Sequence, residues 1–236
     1  MGSIVLLTND DGIDAPGLAA LKQAVADRFD EIWVVAPAEE ASQVGHRVTT
    51  HGEIGVKQLD DRQFAITGTP ADCTRLALAE LLPKRPDLVI SGINFGGNLG
   101  RHDFVISGTI AAAREAVFHG IPAIAVSNYH RADEKFCWET SAAMTERVLE
   151  KLSQTNSLSP GEFWNVNLPH ATPGIEKSVD LEFCEQETQP LELNFEPEED
   201  GNGFRYTGRY QARPASVGSD VAVCFDGNIA ISSVSI

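Results

Sequence analysis

Four short apolar runs set the architecture of this chain. Ile4–Thr8, Ile32–Ala36, Leu88–Ser91 and Ala123–Ser127 are brief, nearly continuous and rich in β-branched residues, as strands buried on both faces are. Helix-like segments alternate with them at Gly17–Asp27, Ala71–Leu82, Ile110–Phe118 and Glu139–Leu152. Pro16 stands at the head of the first helix, where a missing N–H costs little, and Thr69-Pro70-Ala71-Asp72 opens the second in the same way. This β–α rhythm predicts an α/β fold, a mainly parallel sheet with helices on both sides.

The remaining segments have a different texture. Val48-Thr49-Thr50, Ile54-Gly55-Val56 and Gln63-Phe64-Ala65-Ile66 read as short antiparallel or edge strands, and Phe163–Leu168 as one more strand. Glu185–Asp200 is rich in Glu and Pro, the composition of an exposed acidic loop or a projecting hairpin. Val221–Phe225 and Ile229–Val234 flank Asp226-Gly227, a pattern that predicts a terminal β-hairpin. A chain of 236 residues with 42% hydrophobic residues can form one large α/β domain around a packed core.

Charge narrows the partners. A formal net charge of −16 repels nucleic-acid backbones and anionic membranes, so neither a nucleic-acid duplex nor a membrane is expected. A small anionic substrate remains compatible, because a metal and backbone N–H groups make a local site positive. Cys73, Cys137, Cys184 and Cys224 are far apart and form no Cys-x-x-Cys pair, so they read as reduced thiols. No run reaches membrane-spanning length and no signal-like segment precedes the first strand. A soluble, cytoplasmic protein is the expectation.

The chemistry-bearing residues fall at the ends of these strands. Thr8-Asn9-Asp10-Asp11-Gly12 follows the first apolar run, placing two adjacent carboxylates and a glycine turn where open parallel sheets gather ligands. Adjacent carboxylates repel, and a divalent cation is the simplest partner that offsets this; capping of the next helix is the plainer reading. Ser91 to Gly100 carries four glycines with Asn94 and Asn98. One asparagine could ligate a hard cation while the other holds an oxyanion. Ser107-Gly108-Thr109 stands where a helix begins, either as an ordinary cap or as a phosphate site. Ser42 and His46 lie in the loop after the second strand. This oxygen-rich inventory, without cysteine or paired histidines, suits Mg²⁺ or Mn²⁺ better than structural zinc and points to phosphoester chemistry.

These motifs occur in a telling order. Thr8 to Ile13, Ala15-Pro16-Gly17, Val34 to Pro37, Gly68 to Cys73, Ser91 to Asn94, Gly96 to Gly100, Ser107-Gly108-Thr109, Asn165 to Pro169 and Ser219-Asp220-Val221 resemble the survival protein SurE family over nearly the whole chain. The resemblance implies a metal-dependent 5′/3′-nucleotidase acting on nucleoside monophosphates or a related phosphomonoester. It implies a Rossmann-like core over about residues 1–155 and a C-terminal extension over about 156–236. A projecting arm near 182–212 would join subunits into a homodimer or homotetramer. The implied ligands of one cation per subunit are Asp10, Asp11, Ser42 and Asn94. Asn98, Ser107, Gly108 and Thr109 would hold the phosphate, with Asp10 and Asn98 as the catalytic residues. Asp10 then orients or deprotonates a water, or is itself the nucleophile. The chain departs from the family pattern at Ala38-Glu39, Gln43, Arg101-His102-Asp103 and Ile106.

Two other readings compete. A transferase or other non-hydrolytic nucleotide- or sugar-phosphate-binding protein on the same fold would have little use for a carboxylate pair beside an anion. A binding protein that lost activity would have little reason to retain the four implied ligands.

Overall fold

The computed structural model describes residues 2–199 and 201–236. Its centre is a nine-stranded sheet built from β1 (Ile4–Thr8), β2 (Glu31–Pro37), β3 (Val56–Asp60), β4 (Gln63–Ile66), β5 (Leu88–Phe95), β6 (Ala123–Asn128), β7 (Glu162–Leu168), β8 (Leu181–Phe183) and β11 (Ile229–Ser235). The spatial order is β3-β4-β2-β1-β5-β6-β7-β11-β8. Strands β4, β2, β1, β5, β6 and β7 run parallel, while β3 and β11 are antiparallel to their inner neighbours. A separate two-stranded ribbon pairs β9 (Phe195–Pro197) with β10 (Phe204–Tyr206).

Strand alternation divides the core into two layers. Val5 and Leu7 face one side with α1 (Pro16–Val25) and α5 (Trp138–Ser153). Ile4 and Leu6 face the other with α2 (Pro70–Leu76) and α4 (Gly108–Phe118). Both faces of β1 are therefore dry, which explains its unbroken apolar sequence. The chain moves from β1 to β2 on one side, and β5 lies on the other. The reversal leaves a crevice beyond the carboxyl ends of β1 and β5, the usual place for a ligand in open sheets.

The parallel core matches the expected elements closely, and the differences have local causes. Helix α2 stops at Leu76 and continues as a π-helical turn over Ala77–Leu81. Val48–Thr50 is not a strand. Thr49 gives its N–H and hydroxyl to the two carboxylate oxygens of Asp72 at 2.8 and 2.7 Å, so side-chain bonds replace a ladder there. β5 runs on to Phe95 with a register shift between Ser91 and Asn94, so the first half of the glycine-rich stretch is strand rather than loop.

The expected terminal hairpin is incorrect. Val221–Phe225 lies in α6 (Asp220–Phe225), and only Ile229–Ser235 is a strand. Ser219 caps α6 by accepting the Ala222 N–H, and Val221, Val223 and Cys224 bury an apolar side. Gly227, at φ 94°, ends the helix instead of turning a hairpin. The acidic 185–200 segment does contribute a strand, β9, to the exposed ribbon; Asp200 lies outside the described residues.

The extension also folds back on the core. A short helix α3 (Gly100–Ile106) follows the glycine-rich loop. Arg101 donates its N–H to Glu187 O at 2.9 Å, and Gly100 donates to Asp220 Oδ2 at 2.7 Å. A 3₁₀ turn at Tyr210–Ala212 brings Tyr210 and Arg213 onto Asp103 in α3.

Candidate active site

β1 delivers Asn9, Asp10 and Asp11 to the crevice. Asn9 closes the turn by donating its side-chain N–H to Gly12 O at 2.7 Å. Asp10 is buried, and its Oδ1 accepts the Thr109 hydroxyl at 2.6 Å. The Thr109 backbone amide also faces this carboxylate, so the positive end of α4 is aimed at Asp10. Gly108 makes that approach possible, since a Cβ there would stand 2.8 Å from Asp10 Cβ and 3.0 Å from Pro70 Cγ. Asp11 is half-buried and accepts the Phe95 N–H at 3.0 Å.

Backbone bonds gather the loops. The loop after β2 is tied to the first loop by Ala41 N–H to Asp10 O at 2.8 Å, and β2 itself by Ile13 N–H to Pro37 O at 2.8 Å. Asn94, next to Phe95, gives its side-chain N–H to Gly96 O at 2.7 Å, which leaves the side-chain oxygen as its free end. Ser42 is exposed and gives its hydroxyl to Glu40 Oε1 at 2.7 Å. Asp10, Asp11 and Asn94 are thus linked to one crevice through their own or adjacent groups. Ser42 joins them through its loop, with its hydroxyl already bonded.

Asn98 is buried in a polar lattice. Its side-chain N–H bonds Ser127 Oγ at 2.7 Å, its backbone N–H bonds Asn167 Oδ1 at 2.8 Å, and its carbonyl accepts from Asn165 and Asn167 at 3.0 and 3.1 Å. Ser107 caps α4 by accepting the Ile110 N–H at 3.2 Å. Both hydroxyls of Ser107-Gly108-Thr109 therefore serve the protein, and the Gly108 N–H has no protein acceptor among the described residues. His46 bonds Glu115 Oε2 at 2.7 Å and stands beside Arg114, a structural arrangement.

Electrostatics mark the acid pair. Burial, partly countered by the Thr109 hydroxyl and reinforced by the Asp11 charge, pushes the Asp10 carboxyl up to about 7. Burial also raises Asp11, with the Phe95 N–H opposing and the Glu40 charge adding. Asn9 Oδ1, Thr8 Oγ and Ser91 Oγ are buried without any partner, and Thr8 and Ser91 face each other across the β1–β5 ladder. Repelling carboxylates beside unsatisfied oxygens describe an environment lacking positive charge, and it fits a hard cation. The donors are carboxylate, amide and hydroxyl oxygens; among the described residues no group of three or more His, Cys, Asp or Glu side chains is arranged to hold a metal ion.

Several contributors had no role predicted from sequence, Asn165 and Asn167 included although they belong to the Asn165–Pro169 motif. Asn165 and Asn167 stand two apart on β7 and so share one face, a spacing that could have marked them. Glu40 carried no signal. Nothing in the local sequence of Tyr210 or Arg213 connects them to a loop more than a hundred residues earlier.

Residues 5–192 match the model of the family described as Survival protein SurE. The chain is 49% identical over 230 residues to a protein of Nostoc sp. (strain PCC 7120), covering 98% of each. It is 37% identical over 240 residues to the 5′-nucleotidase SurE of Heliobacterium modesticaldum, covering 98% of this chain and 85% of the relative. The crystal structure of the SurE protein from Aquifex aeolicus superposes with a TM-score of 0.86 at 29% identity, covering 98% of this chain and 93% of that one.

Proposed function

The chain belongs to the survival protein SurE family and is a 5′-nucleotidase, a phosphatase of nucleoside monophosphates; we propose that Asp10, Asp11, Ser42 and Asn94 hold one divalent cation, Mg²⁺ or Mn²⁺. Asn98 and the start of α4 receive the phosphoryl group in this reading, and 3′-monophosphates are substrates as well. The observation that carries it is Asp10, buried at the end of β1 and bonded to Thr109 at the head of α4. A phosphoryl group beside this pair would meet the Asp10 carboxyl and the unpaired Gly108 N–H.

The cation, when bound, supplies Lewis acidity toward a phosphoryl oxygen and a water. The chain's own groups do the rest. Thr109 occupies Asp10 Oδ1, which leaves Oδ2 to orient a water and take its proton. The Gly108 N–H and the α4 dipole stabilise charge that grows on the phosphoryl oxygens. Asn98, fixed through Ser127 and the two β7 asparagines, keeps its loop in place without reorganising during the reaction.

The exposed β9–β10 ribbon, with Phe195, Phe204 and Tyr206 at its surface, suits association with a second copy as a homodimer or homotetramer. The four free cysteines are consistent with a reducing, cytoplasmic setting. No helix among the described residues is long and apolar enough to cross a membrane.

Phosphate release from a nucleotide panel tests the reading, measured with Mn²⁺ or Mg²⁺, with chelator, and for Asp10→Asn. Chelation abolishes activity, and the substitution lowers it at least about 100-fold. Turnover that ignores chelator and survives Asp10→Asn overturns the assignment.

A further inference from the structure

We infer that Phe95 and its aromatic neighbours form a nucleobase-stacking subsite beside the acid pair, resting on the nucleotidase reading above and adding how the substrate is selected. Phe95 ends β5 directly after Asn94, and its N–H touches Asp11. The residue remains 49% exposed. Behind it stand His130, with centroids 4.4 Å apart, Phe136 edge-on at 5.3 Å and Trp138 at 5.9 Å. Phe136 and Trp138 are themselves edge-to-face at 4.8 Å.

An exposed Phe backed by three further rings at the rim of the crevice offers a stacking face that gains by being covered. Its packed neighbours restrain the ring, so little rotamer freedom is lost on binding. The backbone of the same residue contacts the acid pair, which places the ring within one nucleoside of the phosphoryl position. A ligand that stacks on this ring while its phosphate reaches the acid pair is flat and covalently tied to a phosphate; the base of a nucleoside monophosphate is both. Stacking is tolerant of base identity, because every base has a π-face. His130 has no hydrogen bond to its ring nitrogens among the described residues, so they are free to meet a base edge.

The test compares AMP with ribose 5-phosphate, which has the phosphate and sugar but no base. Wild type, Phe95→Ala and Phe95→Trp are each assayed for kcat/KM and, separately, for equilibrium binding by calorimetry. Phe95→Ala lowers the AMP to ribose 5-phosphate preference about 5- to 100-fold, mainly through KM, and Phe95→Trp restores it. An equal fall for both substrates shows that Phe95 merely supports the Asp11 loop and overturns the subsite, as does no change in either. Calorimetry separates the two readings. AMP binding that depends on Phe95 without turnover overturns hydrolysis and supports the subsite. Turnover with a preference indifferent to Phe95 overturns the subsite alone.

Discussion

Arg213→Met probes how strongly the C-terminal segment holds the glycine-rich loop. Arg213 Nη1 lies 2.6 Å from Asp103 Oδ2, with the two side chains only 2% and 8% exposed. The same carboxylate oxygen accepts the Tyr210 hydroxyl at 2.8 Å and the Leu99 N–H at 3.2 Å, and Arg213 Nη2 donates to Leu99 O at 2.8 Å. The guanidinium also stacks over the Tyr210 ring at 4.6 Å. Removing the cation leaves a buried carboxylate with neutral donors only, a loss of about 3–5 kcal/mol. In a chain of this size each kcal/mol moves Tm by about 2–4 °C, so the expected drop is about 6–20 °C. Asp103→Asn removes the stranded charge while retaining an acceptor, so the double variant recovers about 2 kcal/mol or more relative to the sum of the singles. Arg213→Lys keeps the charge but loses the second contact and falls in between. Thermal and urea unfolding followed by circular dichroism give the full cycle. A Tm loss under about 2 °C for Arg213→Met, or strict additivity in the double variant, refutes the clamp.

Two further outcomes follow from the packing. Gly108→Ala forces a methyl to within 2.8 Å of Asp10 Cβ; the displaced carboxylate lowers kcat by about 100-fold and the overpacking costs about 1–3 kcal/mol, and undiminished kcat refutes the close-approach role. Glu187 accepts the N–H groups of Gln189, Ser216 and Thr188, which hold its carboxyl down at about 2, against an ordinary value of 4.5. A depressed carboxyl contributes stability above pH 4.5 that is lost as pH falls from there toward about 2. Glu187→Gln therefore shows a shallower acid loss of Tm, and acid limbs parallel to wild type refute the linkage.

The parallel core was legible because each of its strands is buried on both faces and α1, α2 and α4 each carry a local start signal. Thr69 and Asp72 make a reciprocal capping box and Ser107 caps α4, both visible in sequence. Asp10 and Asp11 stood out for a different reason: two adjacent charges directly after a dry apolar run repel each other, and helix capping uses at most one of them. Thr109 was legible as a helix-start residue, yet its hydroxyl serves Asp10, a pairing set by the β1–α4 approach that no local pattern encodes. The C-terminal region was misread where periodicity was ambiguous. Val221–Phe225 alternates too little to separate a short helix from a strand, and the Ser219 cap decides the matter. Phe95 was hidden within a glycine-rich run, where its neighbours His130, Phe136 and Trp138 arrive from a different connection.

The placement of β11 has a consequence for biogenesis. Ile229–Ser235 is inserted between β7 and β8, pairing Phe163 with Val234 on one side and Leu181 with Ile229 on the other. A chain emerging from the ribosome makes β7 and β8 well before the strand that joins them. Until it arrives, the Phe163–Leu168 border of the sheet stands open with unpaired amides and carbonyls, a template for pairing with another nascent chain. β11 thus acts as a seal against aggregation, at a border that only β6 and β7 separate from β5 and the crevice.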